Sequence, residues 1–323
     1  MREVESVKKE NEQIHQFTEK EAVMVLPSRP WDGHKGTFGK VCVIGGSVGL
    51  TGAVVLSALG AARMGSGLVY VGVPKEIYPI TAAMCLEAMP FPLPDREGMI
   101  SPEAFFKILE RMNACDGGLL GPGLGRSPEL VLLIRRLLEQ VKTPLVLDAD
   151  GLYAIRNHKE VLKERKEKGR VTVLSPHEGE FAYLGGTIVR TAESEEAVST
   201  EELRKRRTQE RVRAAKAFAK EYGCVLVLKG PDTVTASPDG TVFVNTTGNS
   251  GMAKGGSGDI LSGMILSLLG QGLKAQEAAA LAVWLHGYAG DLCKKELGEY
   301  GMLPRDMVEH IPQAILSLQG NFK

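Results

Sequence analysis

"KVCVIGGSVGLTGAVVLSALGAARMGSGLVYVGVP", residues 40–74, is the stretch that decides the fold class. Its two ends, residues 40–46 and 67–74, are short runs of β-branched and other apolar residues, whereas residues 52–64 have the pattern of a helix. Continuously apolar strands are expected in a parallel sheet that helices cover on both faces. The stretch therefore predicts a strand, a helix and a second strand of such a sheet.

The same alternation continues along the chain. Further strand candidates are residues 117–123, 143–151, 170–176 and 224–230, and further helix candidates are residues 128–140 and 201–222. Within residues 224–245, Asp239-Gly240 separates two alternating runs, which predicts a β-hairpin and hence a sheet that is mixed late in the chain. The alternation predicts an α/β fold with a central, mostly parallel, doubly wound sheet.

The organisation of the chain favours one domain. Residues 1–19 are polar and lack a 3.6-residue apolar stripe, so we expect a tail or a frayed helix there. Residues 20–323 contain no repeat, low-complexity tract or linker, and we expect them to form a single domain. From Ser257 onward the pattern is almost wholly helical.

The composition excludes several classes of partner. Of 323 residues, 43% are hydrophobic and 24% charged, and 39 basic residues balance 39 acidic ones, which is typical of a globular protein without a polyanionic partner. Residues 200–216 are rich in lysine and arginine, but interleaved glutamates favour a solvated helix face over a nucleic-acid patch. The apolar runs are shorter than the roughly 18 residues that a membrane span needs. We expect neither nucleic acid nor membrane as partner.

The cysteines and the first residues indicate the compartment. The five cysteines are isolated from one another and show no zinc-ligand spacing, so we expect reduced thiols and a cytoplasmic location. The first 17 residues contain no apolar segment of the kind found in a signal peptide.

Polar and glycine-rich segments follow most of the strand candidates. They are residues 45–46, 121–125, 148–151, 175–180 and 229–232. Ligands of open α/β sheets bind beyond the carboxyl ends of the strands, so we expect these segments to share one crevice. The glycines of residues 45–52 do not have the dinucleotide-binding register, and Lys254 precedes glycine rather than Ser or Thr, so no P-loop is present.

"KGGSGDILSGMI", residues 254–265, predicts an anion site. Small residues lead into a helix that begins near Ser257 or Gly258, and the free N–H groups at a helix N-terminus bind phosphate. Gly255, Gly256 and Gly258 allow the backbone to approach a phosphate closely because they lack a Cβ atom.

Asp259, in the first turn of that helix, has two interpretations. It can be a simple helix-capping carboxylate. Alternatively, it can accept the proton of a hydroxyl group that attacks a phosphorus atom bound at the same helix end. The helix dipole predicts a low pKa for this carboxyl group.

Three other strand ends and one polar loop carry candidate residues. His177, Glu178 and Glu180 cluster where a helix opens after a strand, and either bind a ligand or cap that helix. Lys229 follows another strand, where it can contact a nucleotide phosphate or extend to the surface. Asp148 and Asp150 can hold metal-bound water, cap a helix, or both. His34, in a polar loop, is either a ligand contact or a surface residue.

These segments, in this order, resemble the NAD(P)H-hydrate dehydratase family, a carbohydrate-kinase-like branch of the ribokinase-like fold. The resemblance covers residues 20–315 and rests on "DGHKGTFGKVCVIGGSVGLTGAVVLSALGAARMGSGLVYV", "GPGLG", "VLDADGL", "LSPHEGEF", "VLKGPDTV" and "NTTGNSGMAKGGSGDILSGMI". The last motif is specific to the superfamily, and the first together with "SPHEGE" is specific to the family.

The resemblance implies repair of hydrated NADH and NADPH, the S epimer, with ADP or ATP as co-substrate and Mg²⁺ as cofactor. The nucleotide phosphorylates the ring hydroxyl, and loss of phosphate restores the ring double bond. By resemblance Asp259 is the base and a substrate contact, and Glu180 is a magnesium contact through water. The other substrate contacts would be Ala53, Gly123 and His177, and the nucleotide contacts Lys229, Gly230, Pro231, Asp232, Thr233 and Gly258.

The resemblance leaves some alternatives open. A small-molecule kinase of the same fold, acting on a thiazole, hydroxymethylpyrimidine or sugar alcohol, would use the same loop, and a non-catalytic nucleotide sensor is a further possibility. Many family members carry an additional epimerase domain, and we expect the dehydratase alone here. Stand-alone members favour ADP, and the family implies a homo-oligomer, a tetramer. Residues 187–207 form a charged insert without a recognisable motif.

Overall fold

A ten-stranded, mostly parallel sheet lies at the centre of the molecule, in a computed structural model that describes residues 15–189 and 199–320. Its strand order is β1-β12-β11-β10-β9-β8-β7-β2-β3-β4. The strands are β1 (His15–Gln16), β2 (Lys40–Ile44), β3 (Leu68–Pro74), β4 (Met89–Leu93), β7 (Gly117–Leu120), β8 (Leu145–Leu147), β9 (Thr172–Leu174), β10 (Val225–Leu228), β11 (Val234–Ala236) and β12 (Val242–Val244). Two short strands, β5 (Asp95–Arg96) and β6 (Met99–Ile100), pair separately.

Helices cover both faces of this sheet. They are α1 (Glu19–Val25), α2 (Thr51–Arg63), α3 (Tyr78–Met84), α4 (Phe105–Asn113), α5 (Pro128–Gln140), α6 (Asp150–Ile155), α7 (Glu160–Glu167), α8 (Glu178–Tyr183), α9 (Thr200–Tyr222), α10 (Ser257–Gly270), α11 (Ala275–Gly301) and α12 (Pro304–Gly320). One apolar cluster joins the sheet to α2, α10, α11 and α12, and a second joins it to α4, α5 and α9. The doubly wound α/β prediction is therefore confirmed.

The sheet is parallel in its centre and antiparallel near one edge. The central strands β2, β7, β8, β9 and β10 pair in parallel, and nearly all of their residues are buried. Strand β11 pairs antiparallel with both β10 and β12. The hairpin turn between β11 and β12 contains Asp239 and Gly240, and Ser237 N donates to Thr241 O at 2.9 Å. The predicted hairpin is confirmed.

Both edges of the sheet differ from the pattern in the sequence. At one edge, His15–Gln16 pairs in parallel with β12, and Phe17 is buried against Phe243. These residues belong to segment 1–19, for which the sequence predicted a tail or frayed helix, and the contact with Phe243 explains why its last part joins the sheet. Residues 1–14 lie outside the described residues. At the other edge, β4 was not predicted from the sequence because Pro90 and Pro92 interrupt its strand pattern. Proline is tolerated there because β4 is an edge strand.

Two further expectations concern membrane-spanning helices and the cysteines. Within residues 15–189 and 199–320, no helix is both long and apolar enough to cross a membrane. The five cysteines are free and buried.

Candidate functional site

The segments that follow the central strands lie against one another. After β2, Gly46 N donates to Pro122 O at 2.8 Å, which joins this segment to the loop after β7. That loop in turn packs on the end of β8, since a Cβ atom on Gly121 would lie 1.8 Å from Asp148 O. After β9, Pro176 O accepts from Lys229 N at 2.8 Å, and His177 forms a β-bridge with Lys229. The segments that we expect to share one crevice therefore meet at the carboxyl ends of the strands.

The loop before α10 presents open backbone donors. The helix begins at Ser257, as predicted, and its N-cap is Gly256 with a φ of 105°, a conformation that favours glycine. No side chain caps the helix. Ser257 N donates to Lys254 O at 3.3 Å, and the N–H groups that follow it in the first turn are available to an anion. Lys254 Nζ does not serve this loop, because it donates to Tyr300 O at 2.8 Å and Met302 O at 2.5 Å.

Helix α11 holds the preceding loop segment in place. Asp291 accepts from Gly248 N at 2.9 Å and from Asn249 Nδ2 at 3.0 Å, and Thr247 Oγ1 donates to Trp284 O at 2.9 Å. Reasoning from the sequence missed Asp291. The available signal was a single carboxylate at the end of the apolar run of residues 277–290.

Lys229 provides the positive charge beside α10. Its Nζ lies 2.8 Å from Asp148 Oδ1 and 3.8 Å from Glu180 Oε2. A Cβ atom on Gly258 would lie 3.1 Å from the same Nζ, which places the ammonium at the N-terminus of α10. Burial disfavours the charged form, but the carboxylates of Asp148 and Glu180 outweigh it and raise the pKa of Lys229. Lys229 thus points into the crevice and not to the surface.

Asp259 faces the same group of charges. Burial raises its pKa to about 7, with further increases from Asp148 and Glu180 and an opposing effect of Lys229. The prediction of a low pKa was wrong, because burial and the neighbouring carboxylates raise the pKa by more than Lys229 lowers it. A carboxyl group with this pKa accepts a proton more readily at neutral pH than an ordinary aspartate does.

His177 and Glu180 form a reciprocal cap at the start of α8. Glu180 N donates to His177 Nδ1 at 3.2 Å, and His177 N donates to Glu180 Oε2 at 2.9 Å. The side chain of His177 is 59% exposed, so the rest of its ring remains open to a ligand. Glu178 does not cap the helix through its side chain but lies 3.2 Å from Arg211 Nε.

The two aspartates after β8 have separate partners. Asp148 is buried and pairs with Lys229, whereas Asp150 accepts from Gly125 N at 3.0 Å and from Arg126 Nε at 2.8 Å. Asp150 therefore fixes the loop after β7, which contains Gly123.

Ala53 and Gly123 lie side by side. A Cβ atom on Gly123 would be 3.2 Å from Ala53 Cβ. The first part of α2 also reaches the loop before α10, since a Cβ atom on Gly256 would be 2.6 Å from Leu56 Cδ1. His34 is engaged locally, with its Nδ1 accepting from Gly36 N at 3.1 Å.

Residues 229–233 form a tight turn after β10. Thr233 Oγ1 donates to Gly230 O at 2.8 Å, and Asp232 adopts a φ of 53°, which is uncommon for a residue other than glycine. The Asp232 carboxylate accepts from Arg204 and, at 3.0 Å, from Thr208 Oγ1. Arg204 and Thr208 belong to α9, so the predicted solvated helix carries one face that packs against this turn.

The carboxylates of the crevice suit a magnesium ion that is held partly by a nucleotide. In the described parts of the chain, no cluster of three or more His, Cys, Asp or Glu side chains forms a protein-only metal site. Mg²⁺ usually keeps several waters and takes one or two carboxylates together with substrate phosphates. Glu180 and Asp148 face Lys229 at the loop end of α10, which fits that type of site.

Comparison with known proteins assigns the chain to a family. A family model for NAD(P)H-hydrate dehydratases matches residues 41–313. The bifunctional NAD(P)H-hydrate repair enzyme Nnr of Moorella thermoacetica is 41% identical over 295 residues, which are 91% of this chain and 52% of the relative. The ADP-dependent (S)-NAD(P)H-hydrate dehydratase of Neisseria meningitidis is 35% identical over 275 residues, 85% of this chain and 83% of the relative.

Solved structures give the same result. The ADP/ATP-dependent NAD(P)H-hydrate dehydratase of Bacillus subtilis, co-crystallised with ATP and Mg²⁺, aligns with a TM-score of 0.73 and 28% identity, covering 95% of this chain and 99% of that one. The chain spans about half the length of the bifunctional relatives that it matches. Both the sequence match and the ribokinase-like architecture show that this chain belongs to the NAD(P)H-hydrate dehydratase family.

Proposed function

We propose that this chain catalyses the nucleotide-dependent dehydration of the S epimer of hydrated NADH and NADPH. The observation that carries the proposal is Asp259, a carboxyl group with a pKa of about 7 in the first turn of a helix whose N-terminal donors are open. A proton acceptor and a phosphate-binding loop at one helix end are what a transfer of phosphate to a hydroxyl group requires. The substrate class comes from the named relatives.

Different residues of the crevice bind different parts of the two ligands. We assign the adenosine monophosphate part of the nucleotide to the turn of residues 229–233, and its terminal phosphate to the loop residues Gly255, Gly256, Ser257 and Gly258. The N–H groups of this loop stabilise the charge on the phosphoryl group during transfer. Ala53, Gly123 and His177 lie on the substrate side, and Asp259 lies between the two ligands.

The reaction then proceeds in two steps. Asp259 takes the proton of the ring hydroxyl as the hydroxyl oxygen attacks the terminal phosphorus, and the bond between that phosphorus and the nucleotide breaks. ADP is thereby converted to AMP, or ATP to ADP. The carbon–oxygen bond of the phosphorylated ring then breaks, phosphate leaves, and loss of a proton from the adjacent carbon restores the double bond.

Lys229 and the neighbouring carboxylates support the transfer. The ammonium group of Lys229, at the start of α10, neutralises negative charge where the phosphates bind. When bound, Mg²⁺ supplies further neutralisation of the nucleotide phosphates, and we assign its protein contact to Glu180, through water.

The proposal is tested by incubating the protein with hydrated NADH, Mg²⁺ and either ADP or ATP. We expect the near-ultraviolet absorbance of the reduced nicotinamide ring to return, with one phosphate released for each ring restored. The preferred nucleotide is ADP in our proposal, following the Neisseria relative. Phosphorylation of a thiazole, pyrimidine or sugar alcohol without recovery of NADH would instead support a small-molecule kinase.

We also propose that the protein is a cytoplasmic homo-oligomer, a tetramer, built from one domain of residues 20–323. The buried, free cysteines support a reducing compartment. Exposed aromatic side chains support subunit contacts, since Trp31 is 97% and Tyr300 100% exposed. Light scattering after size exclusion measures the mass in solution, and a monomeric mass would refute the oligomer.

A further inference from the structure

The charged helix α9, whose first residues belong to the insert without a motif, lies directly behind the turn of residues 229–233. Arg204 binds the Asp232 carboxylate with two nitrogens, Nε to Oδ2 at 2.8 Å and Nη2 to Oδ1 at 2.5 Å. Thr208, one helical turn later, donates to the same carboxylate at 3.0 Å. The Asp232 side chain is only 8% exposed. Asp232 is therefore anchored by two residues of α9.

Arg211, a further turn along α9, binds the backbone of the same segment. Its Nη1 donates to Pro231 O and, at 3.2 Å, to Asp232 O, and its Nη2 donates to Leu228 O at 2.8 Å. The residue is only 5% exposed, and its Nε lies 3.2 Å from Glu178 Oε1, next to His177. One buried guanidinium group thus binds two carbonyl groups of the turn and that of Leu228 at the end of β10, and it touches the start of α8.

These contacts matter because the turn contains a residue with an unfavourable backbone conformation. Asp232 has a φ of 53°. Such a conformation costs free energy and persists only where the surrounding contacts enforce it. A cavity of about 390 Å³, lined by Arg204, Pro231 and Asp232 among others, lies between α9 and the turn. The hydrogen bonds of Arg204, Thr208 and Arg211 join α9 to the turn beside this cavity.

We propose that Arg204 and Arg211 are positioning residues that hold the 229–233 turn in the shape that binds the nucleotide. The proposal rests on the assignment of this turn to the nucleotide under the proposed function. Neither arginine has to contact the reacting atoms. Their effect should therefore appear in the affinity for ADP and not in the affinity for the hydrated dinucleotide, whose contacts lie on the side of Ala53 and Gly123.

Arg204→Gln is the principal test, because Arg204 is 57% exposed and its replacement leaves the core intact. We expect the Kd for ADP, measured by calorimetry, and the KM for ADP to rise about three- to fivefold, as expected for loss of a partly exposed bidentate pair. The kcat and the KM for hydrated NADH should stay within about twofold of the wild type. Lys205→Gln is the matched control, since Lys205 lies on the same helix and its Nζ is 3.6 Å from Glu201 Oε1, on the side of α9 that its exposed ammonium group shares with solvent.

Arg211→Lys provides the second test. Lysine keeps the positive charge but cannot bind three carbonyl groups in one plane, so we expect the Kd for ADP to rise by about tenfold or more. Equal ADP affinities for wild type, Arg204→Gln and Lys205→Gln, in an enzyme that restores NADH, would overturn the positioning role and leave the proposed function standing. Weaker ADP binding by Arg204→Gln in a protein that restores no NADH would support the positioning role and overturn the proposed function.

Discussion

At the scale of single residues, the site depends on the charges around Asp259. Its carboxyl group shares the crevice with Asp148 and Glu180, and one ammonium group, Lys229, lies among the three acids. Burial and the two carboxylates hold the pKa of Asp259 at about 7, so protonated and ionised forms coexist at neutral pH. Such a group can accept a proton during phosphoryl transfer and release it afterwards.

Asp259→Asn tests the role of the base directly. Asparagine keeps the shape of the side chain but cannot take a proton, so we expect kcat to fall by about 10²- to 10⁴-fold. ADP binding should remain, because the loop N–H groups and Lys229 are unchanged. Asp239→Asn, on the exposed hairpin turn, serves as the matched control. Full activity of Asp259→Asn in the dehydration assay would refute the assignment.

Asp148→Asn tests how the neighbouring carboxylate sets the acidity of the site. Because the proposed base is the ionised form of Asp259, kcat/KM of the wild type should rise with pH through a pKa of about 7. Removing the Asp148 charge lowers the pKa of Asp259, because Lys229 is then opposed only by burial and the smaller effects of Glu180 and Asp150, so the acid limb should move to lower pH. The profile of kcat/KM between acid and neutral pH measures this shift. An acid limb at the wild-type position would mean that another group controls the rate.

The sequence identified Asp259 as a candidate base, but it did not predict the raised pKa of its carboxyl group. A motif in residues 254–265 identifies the loop and the helix end, and these are local features. Asp148, Glu180 and Lys229 come from three other strand ends, and only the sheet order brings them together. The pKa is a property of that assembly, so a single segment could not reveal it.

At the scale of elements, the contact between α2 and α10 fixes the loop relative to the sheet. The two helices touch through backbone, because a Cβ atom on Gly263 would lie 2.0 Å from Ser57 O and one on Gly60 would lie 2.5 Å from Ile260 O. Helix α10 is buried over most of its length. The first turn of α10, with Asp259, is therefore positioned by a rigid contact that extends from Ile260, the next residue, to Gly263, about one turn further along the helix.

Gly263→Ala tests that contact. The added methyl group has no space against Ser57 O, so the helices must separate, and we expect a loss of about 2–3 kcal/mol in the free energy of unfolding. Gly52→Ala is the matched control, since nothing lies within 4 Å of its Cβ position in α2. Denaturant unfolding of the two variants measures the difference. Equal midpoints would show that the helices can separate without cost.

The elements differ in how well the sequence predicted them. Helix α5 has the bounds that the apolar period predicted, and the central strands lie within their predicted segments, because continuous burial leaves a clear pattern. Helix α9 was predicted, but not its contact with the turn of residues 229–233, because Arg204, Thr208 and Arg211 are polar and resemble a solvated face in sequence. Their partners, Asp232 and the carbonyl groups of residues 228–232, are visible only in the fold.

At the scale of the whole molecule, the site is distributed along the carboxyl ends of the central strands. Loops after β2, β7, β8, β9 and β10 contribute to it, together with the start of α10. Apolar clusters on both faces of the sheet hold these loops in register. A ligand in the crevice therefore touches segments far apart in sequence, and its binding free energy adds to the stability of the entire fold.

This linkage predicts a thermal shift. A ligand that binds only the folded state at 100 times its Kd adds about 2.7 kcal/mol to the free energy of unfolding. For a chain of this length, that corresponds to a rise in Tm of about 4 °C with ADP and Mg²⁺. In Gly258→Ala, the new methyl group would lie 3.1 Å from Lys229 Nζ and narrow the anion site, so the same ADP concentration should raise Tm less. An unchanged wild-type Tm at ADP concentrations that support turnover would mean that the nucleotide does not bridge the segments of the crevice, because a ligand held by several of them must be released before the sheet can unfold.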